Sequence, residues 1–189
     1  MVEARGDEAL SDEALLARIA GQDRHAFTVL MRRHGERVRG LALAFTGRAA
    51  EADDIAQEVF LLLWRRPDAW TPGKAAFSTW LYRVVANRCL DHARKQRLRR
   101  WIPFGEVPDP PDEVPSALDA VAGRDHLAQV RGMIRALPEK QRLALLLAVQ
   151  GERTNAEIAS ILNVSEGAAE QLLVRARRSL RARMQNKEA

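Results

Sequence analysis

A chain of 189 residues, 47% hydrophobic and 29% charged, is long enough for one or two compact domains with real cores. A single cysteine, Cys89, excludes an internal disulfide, and no apolar stretch approaches the ~20 residues that cross a bilayer, the longest being Leu143 to Val149. The formal charge is +5, but it is unevenly placed: residues 101–123 hold no Lys or Arg. The N-terminal stretch MVEARGDEALSDEALL lacks the cationic start and apolar core of a signal peptide, so a soluble, cytoplasmic protein with no membrane insertion of its own is expected. His25, His34, His92 and His126 are scattered without metal-ligand spacing, which predicts no metal and no cofactor.

Taken in chain order, the sequence reads as helix throughout. Ser11 can cap a short helix running to Ala20, and Phe27, Leu30, Met31, Val38, Leu41 and Phe45 recur at three- and four-residue steps along a second. After Gly47 a third carries Ala52, Ile55, Val59, Phe60, Leu63 and Trp64 on one stripe, with Pro67 just past its end. The same helix holds Asp53, Asp54, Gln57 and Glu58. As a metal or acid–base cluster these are weak, because neighbours on a helix do not all converge; they suit a protein-docking face or a solvated surface. The segment TPGKAA, between Trp70 and Phe77, reads as an exposed turn.

The fourth helix, FSTWLYRVVANRCLDHARKQRLRR, combines rings, an apolar face and many guanidinium groups. Phe77, Trp80 and Tyr82 could stack on unpaired bases while Arg83, Arg88, Arg94 and their neighbours follow a phosphate backbone; alternatively the rings are core and the charges a solvated face. On an apolar helix position, Cys89 is expected to be a buried, inert thiol. Residues 101–123 then bring five prolines and five acidic residues, the composition of a linker. Beyond it, helices are predicted at 117–136, 138–149, 154–162 and 165–184, built from aliphatic residues without one aromatic ring. The last two, in TNAEIASILNVSEGAAEQLLVRARRSL, form a helix-turn-helix pattern. Ile158, Ala159 and Leu162 face inward, Asn163 takes a left-handed turn, Ser165 caps the second helix, and Ala169, Leu172, Ala176 and Leu180 carry it. The predicted fold class is all-α: two small helical domains, 1–100 and 124–189, joined by an acidic Pro-rich linker over 101–123, the C-terminal one a helix-turn-helix.

These residues resemble the extracytoplasmic-function group of bacterial RNA polymerase sigma factors. ADDIAQEVFLLLW and FSTWLYRVVANRCLDHARK are similar to the family's second region, and LPEKQRLALLL with the helix-turn-helix to its fourth, in the right order along the chain. The resemblance implies a subunit with no catalysis of its own that binds polymerase core through the largest and second-largest subunits. It also implies promoter DNA and an anti-sigma factor as partners, in a stress or environmental response, and a monomer when free. Carried over residue by residue, Asp53, Asp54, Gln57 and Glu58 would contact a basic coiled coil of the core. Trp70, Lys74 and Asn87 would receive a base flipped from the minus-ten element, along the cationic track of Arg83, Arg88 and Arg94. Ser165, Arg175, Arg177 and Arg178 would engage the minus-thirty-five duplex. Leu137, Leu143, Leu146 and Leu147 fall where the family binds a polymerase flap, and equally suit the core of the small domain. The recognition helix departs from the common pattern at Glu170 and Leu172. The rival readings are a stand-alone helix-turn-helix regulator, which leaves the acidic and aromatic-basic helices unexplained, and a carboxylate-metal nuclease, which wants ligands from several elements.

Overall fold

The computed structural model describes residues 9–101 and 124–188, and among these it contains α-helices, one 3₁₀ turn and no strand. Helix α1 spans Asp12–Ala20, α2 Arg24–Thr46, α3 Ala49–Arg65 and α4 Phe77–Trp101, with the 3₁₀ turn Pro67–Ala69 between α3 and α4. They are followed by α5 (Arg124–Arg135), α6 (Glu139–Val149), α7 (Asn155–Leu162) and α8 (Glu166–Glu188). Trp101 therefore ends α4 rather than opening the linker. The remainder of the expected linker, and the first residues of the helix expected from 117, lie outside the described residues.

Local chemistry sets the helix ends. Ser11 Oγ accepts from the Ala14 amide at 3.2 Å to start α1, and Asp23 Oδ1 accepts from the amides of His25 and Ala26 to start α2. Helix α2 stops at Gly47, whose φ of +76° a side chain would resist and whose missing Cβ leaves room for Arg135 of α5, 2.6 Å from where that Cβ would stand. Pro67 turns the chain after α3, as its position suggested. Helices α2, α3 and α4 pack together, with α1 against α2 and the 3₁₀ turn, burying Leu15, Ile19, Leu30, Phe45, Val59, Leu63, Leu81 and Val85.

Two aromatics of α4 are core: Phe77 and Tyr82 are 3% and 7% exposed, while Trp80 is half-buried and stacks on Phe77 at 5.9 Å. The base-stacking alternative for Phe77 and Tyr82 fails for an energetic reason, since removing so much ring area from water outweighs presenting it to an intermittent ligand.

The second lobe follows its aliphatic pattern. Leu137, Leu143, Leu146 and Leu147 are all buried, which settles their place as core. Thr154 and Glu157 form a reciprocal capping box at the start of α7, Asn163 ends it at φ +51°, and Ser165 Oγ accepts from the Ala168 amide at 3.2 Å to cap α8. Ile158, Ala159 and Leu162 face inward as expected. In α8 the deepest residues are Ala169, Leu173 and Ala176, whereas Leu172 and Leu180 are half-buried at the edge of the core. The inward stripe thus runs through Leu173, four residues after Ala169, rather than through Leu172. The two lobes are seated on each other, α7 against α4 and α6 against α2, and most of their buried residues form one cluster, with Leu137, Leu145 and Ala176 in a second, smaller one.

Candidate protein- and nucleic-acid-binding surfaces

Because Ala52, Ile55, Val59 and Phe60 turn α3 inward, Asp53, Asp54, Gln57 and Glu58 are left together on its solvent side, all four exposed. Two are partnered by the chain's own cations: Arg39 Nε donates to Asp53 Oδ1 at 2.6 Å, and Arg88 Nε lies 3.5 Å from Glu58 Oε2. Both pairs are open to solvent, so each contributes little to stability and is readily exchanged. Among the described residues the side chains of Asp54 and Gln57 make no hydrogen bond or ion pair. One turn further on, Leu61 is 38% exposed, an apolar side chain at the edge of an acidic strip. Sequence reasoning missed it, although its spacing of four from Gln57 and its absence from the inward stripe mark it. Among the described residues no group of three or more His, Cys, Asp or Glu is placed to hold a metal ion.

Around the turn before α4, the structure departs from expectation at Trp70. This ring, assigned to DNA, is 7% exposed, with its indole N–H donating to the Ala75 carbonyl at 3.1 Å and its edge against Phe77. A large ring beside turn residues finds both an apolar neighbour and a hydrogen-bond acceptor within the turn itself, so it staples the loop instead of projecting from it. That role still matters, because the stapled loop presents Lys74, which is exposed beside Gly73 at φ +85°. Asn87 is also exposed, one turn beyond Arg83 on α4. The three assigned arginines are engaged inside the molecule: Arg88 with Glu58, Arg94 with Asp91 at 2.9 Å, and Arg83 with Ser160 of the second lobe. Cys89 lies on the inner side of the same helix, fully buried. Burial pushes its thiol up to about 12, against a smaller opposing effect of the Arg142 charge, so it is protonated and unreactive in the folded chain.

On α8, Arg175, Arg177 and Arg178 are all exposed, and among the described residues none forms a hydrogen bond or ion pair. Ser165 is exposed as well, at the N-terminal end of α8. The first turn carries Glu166, so charge near the helix start is negative and the cationic character is delayed by about two turns. Arg183 turns back to the lobe, its guanidinium donating to the Ala136 carbonyl at 3.2 Å.

Two segments of the chain, in the expected order, match known protein families. Residues 30–99 match the Sigma-70 region 2 family and residues 127–180 the Sigma-70, region 4 family. The chain is similar to the RNA polymerase sigma factor NccH of Alcaligenes xylosoxydans xylosoxydans, with 30% identity over 94% of this chain and 96% of NccH. It is also similar to the ECF RNA polymerase sigma factor SigL of Mycobacterium tuberculosis, with 34% identity over 96% of each chain. Among solved structures, CnrH in complex with the cytosolic domain of CnrY aligns with a TM-score of 0.67 and 27% identity over 93% of this chain and 97% of that one. The Bartonella quintana sigma factor RpoE, solved with the anti-sigma factor NepR, shares the fold with a TM-score of 0.64 and 20% identity over 84% and 96% of the two chains. With both regions matched in order and relatives aligned almost end to end, this chain belongs to the extracytoplasmic-function group of RNA polymerase sigma factors, which direct promoter-specific transcription initiation.

Proposed function

We propose that this sigma factor divides its work between its two lobes, residues 1–100 and 124–189, with the segment between them serving as a tether. The observation that carries the reading is the joint exposure of three chemically distinct faces on one chain. These are the acidic strip of α3, the Lys74 and Asn87 surface at the start of α4, and the arginines of α8. Asp53, Asp54, Gln57 and Glu58, with Leu61 at their edge, dock a cationic helical partner on polymerase core. Lys74 and Asn87 hold a flipped base and its backbone at minus ten, Asn87 through the hydrogen bonds its amide offers to a base edge. Ser165, Arg175, Arg177 and Arg178 engage duplex DNA at minus thirty-five.

Melting follows from binding rather than from covalent chemistry. Each captured base stabilises the open state by roughly 1–3 kcal/mol, so a few contacts offset the opening of a few pairs. The chain performs no catalysis, acts in the cytoplasm as a monomer, and is held inactive by an anti-sigma factor; the similar CnrH was solved in complex with the cytosolic domain of CnrY.

The test is to add the purified chain to sigma-free polymerase core and map transcript starts across a genomic library. Core-dependent starts that share two sequence elements support the reading. A footprint on duplex DNA by the chain alone, with no core-dependent start, would instead favour a stand-alone regulator.

A further inference from the structure

Resting on that functional reading, we propose that His34 is a positioning residue for base capture at minus ten: pinned by Asp12 of α1, its ring braces Phe77 and, through Phe77, the loop that presents Lys74. His34 is 7% exposed, and its Nε2 donates to Asp12 Oδ2 at 2.9 Å. The neighbouring Arg33 pairs with the other oxygen of Asp12 and donates to the Leu10 carbonyl at 2.9 Å, so the partner of the imidazole is itself held in place. The imidazole meets Phe77 nearly at right angles, with 5.4 Å between ring centroids. Phe77 in turn touches Trp70 edge-on at 5.7 Å and stacks on Trp80 at 5.9 Å.

These contacts reach the loop at both of its ends. Phe77 opens α4 directly after it, and Trp70 precedes it, tied by its indole N–H to the Ala75 carbonyl. Helix α1 also packs against the 3₁₀ turn Pro67–Ala69, which leads into Trp70. It therefore bears on the entry of the loop through that turn and on the exit through His34. Residues 71–74 between them are exposed, with Gly73 at φ +85°, and among the described residues the Lys74 side chain makes no hydrogen bond or ion pair. The place of Lys74 is thus set by how firmly the two ends are held.

The residue type at position 34 argues for orientation rather than filling. A phenyl or aliphatic side chain would occupy the same space without the desolvation that burying an imidazole beside a carboxylate entails. What the polar pair adds is direction, because a hydrogen bond fixes the rotation of a ring that dispersion contacts alone leave loose. A side chain that captures a ligand must be held to within about 0.5 Å by neighbours whose own rotamers are locked. The brace is also selective in its reach: Asn87 stands about 15 Å further along α4 than Phe77, so the position of Lys74 depends on His34 while that of Asn87 does not.

Two variants of the full chain remove the pin from either side: His34→Phe keeps a ring against Phe77 without the donor, and Asp12→Ala removes the acceptor. In the free chain, both are expected to speed hydrogen exchange of the amides in residues 71–76 about tenfold and to leave the amides of α8 unchanged. In holoenzyme, capture is read as the fluorescence of 2-aminopurine placed at each minus-ten position of a promoter found by start mapping. His34→Phe is expected to weaken capture severalfold, to lose that effect in a Lys74→Ala background, and to keep it in full in an Asn87→Ala background. General loss of stability would weaken capture equally in both backgrounds, and that result overturns the positioning role. Wild-type exchange at residues 71–76 in a folded variant overturns it as well, and Asp12→Ala decides alone if circular dichroism shows His34→Phe to be unfolded. The exchange experiment involves neither polymerase nor DNA. A wild-type chain that directs core to no defined start would refute the functional reading, and the capture role with it, while exchange still decides the brace.

Discussion

Asp12 sits in the first turn of α1, yet its carboxylate is aimed across to α2, where His34 Nε2 donates to Oδ2 at 2.9 Å and Arg33 forms an ion pair with Oδ1. Burial works to raise the Asp12 pKa, but the hydrogen bonds from His34 and Arg33, with the field of both side chains, outweigh it and hold the carboxyl below the ordinary aspartate value. A carboxyl depressed in the folded state contributes its full stabilisation above the unfolded pKa of about 3.9 and loses it as pH falls through the folded value. Asp12→Asn should therefore cost about 1–2 kcal/mol in urea unfolding at pH 7, and the gap to the wild type should shrink from about pH 4 downward. A gap that stays constant through that range would show that the carboxylate charge plays no part. Single residues were the level at which the sequence spoke least clearly. The Asp12 contacts join residues more than twenty positions apart, and the inward turn of Trp70 depends on a carbonyl five residues later that no pattern announces.

At the scale of elements the sequence was far more legible, because helix ends and faces are local properties. Ser11, Thr154, Asn163 and Ser165 occupy the caps and turns their side chains suit, and Gly47 ends α2 where a positive φ is needed. The exception within α8, Leu173 rather than Leu172 in the deepest position, arises because two adjacent leucines offer the same apolar surface and only the packing of α6 and α7 against α8 selects between them. Since Arg175 is exposed on α8, beyond the acidic first turn, its charge should act on phosphate. Arg175→Ala in reconstituted holoenzyme should weaken binding to a duplex minus-thirty-five fragment and lower the slope of log affinity against log salt by about 0.9. An unaltered slope would remove Arg175 from the phosphate contacts.

Across the described residues, the all-helical class and the inward sides of most helices follow from periodicity, whereas the seating of residues 124–188 on residues 9–101 does not. No local pattern encodes it: Arg142 reads as an ordinary cation in α6 until the end of α2 is placed beneath it. A buried cluster shared by both lobes leads to the expectation that they unfold together. The described rings lie in the first lobe, so tryptophan fluorescence reports on that lobe while far-ultraviolet circular dichroism reports on both. The two signals should give coincident urea transitions, and two separate midpoints would show lobes that fold independently. The partly self-neutralised acidic strip of α3 carries a last consequence. Under the proposed docking, a cationic helix would displace Arg39 from Asp53 and Arg88 from Glu58, trading old counter-ions for new ones, so the electrostatic gain at these two carboxylates would be modest. Such an exchange would favour a brief tenancy on the enzyme over permanent residence, and would return two liberated guanidinium groups to the rim at the moment of docking.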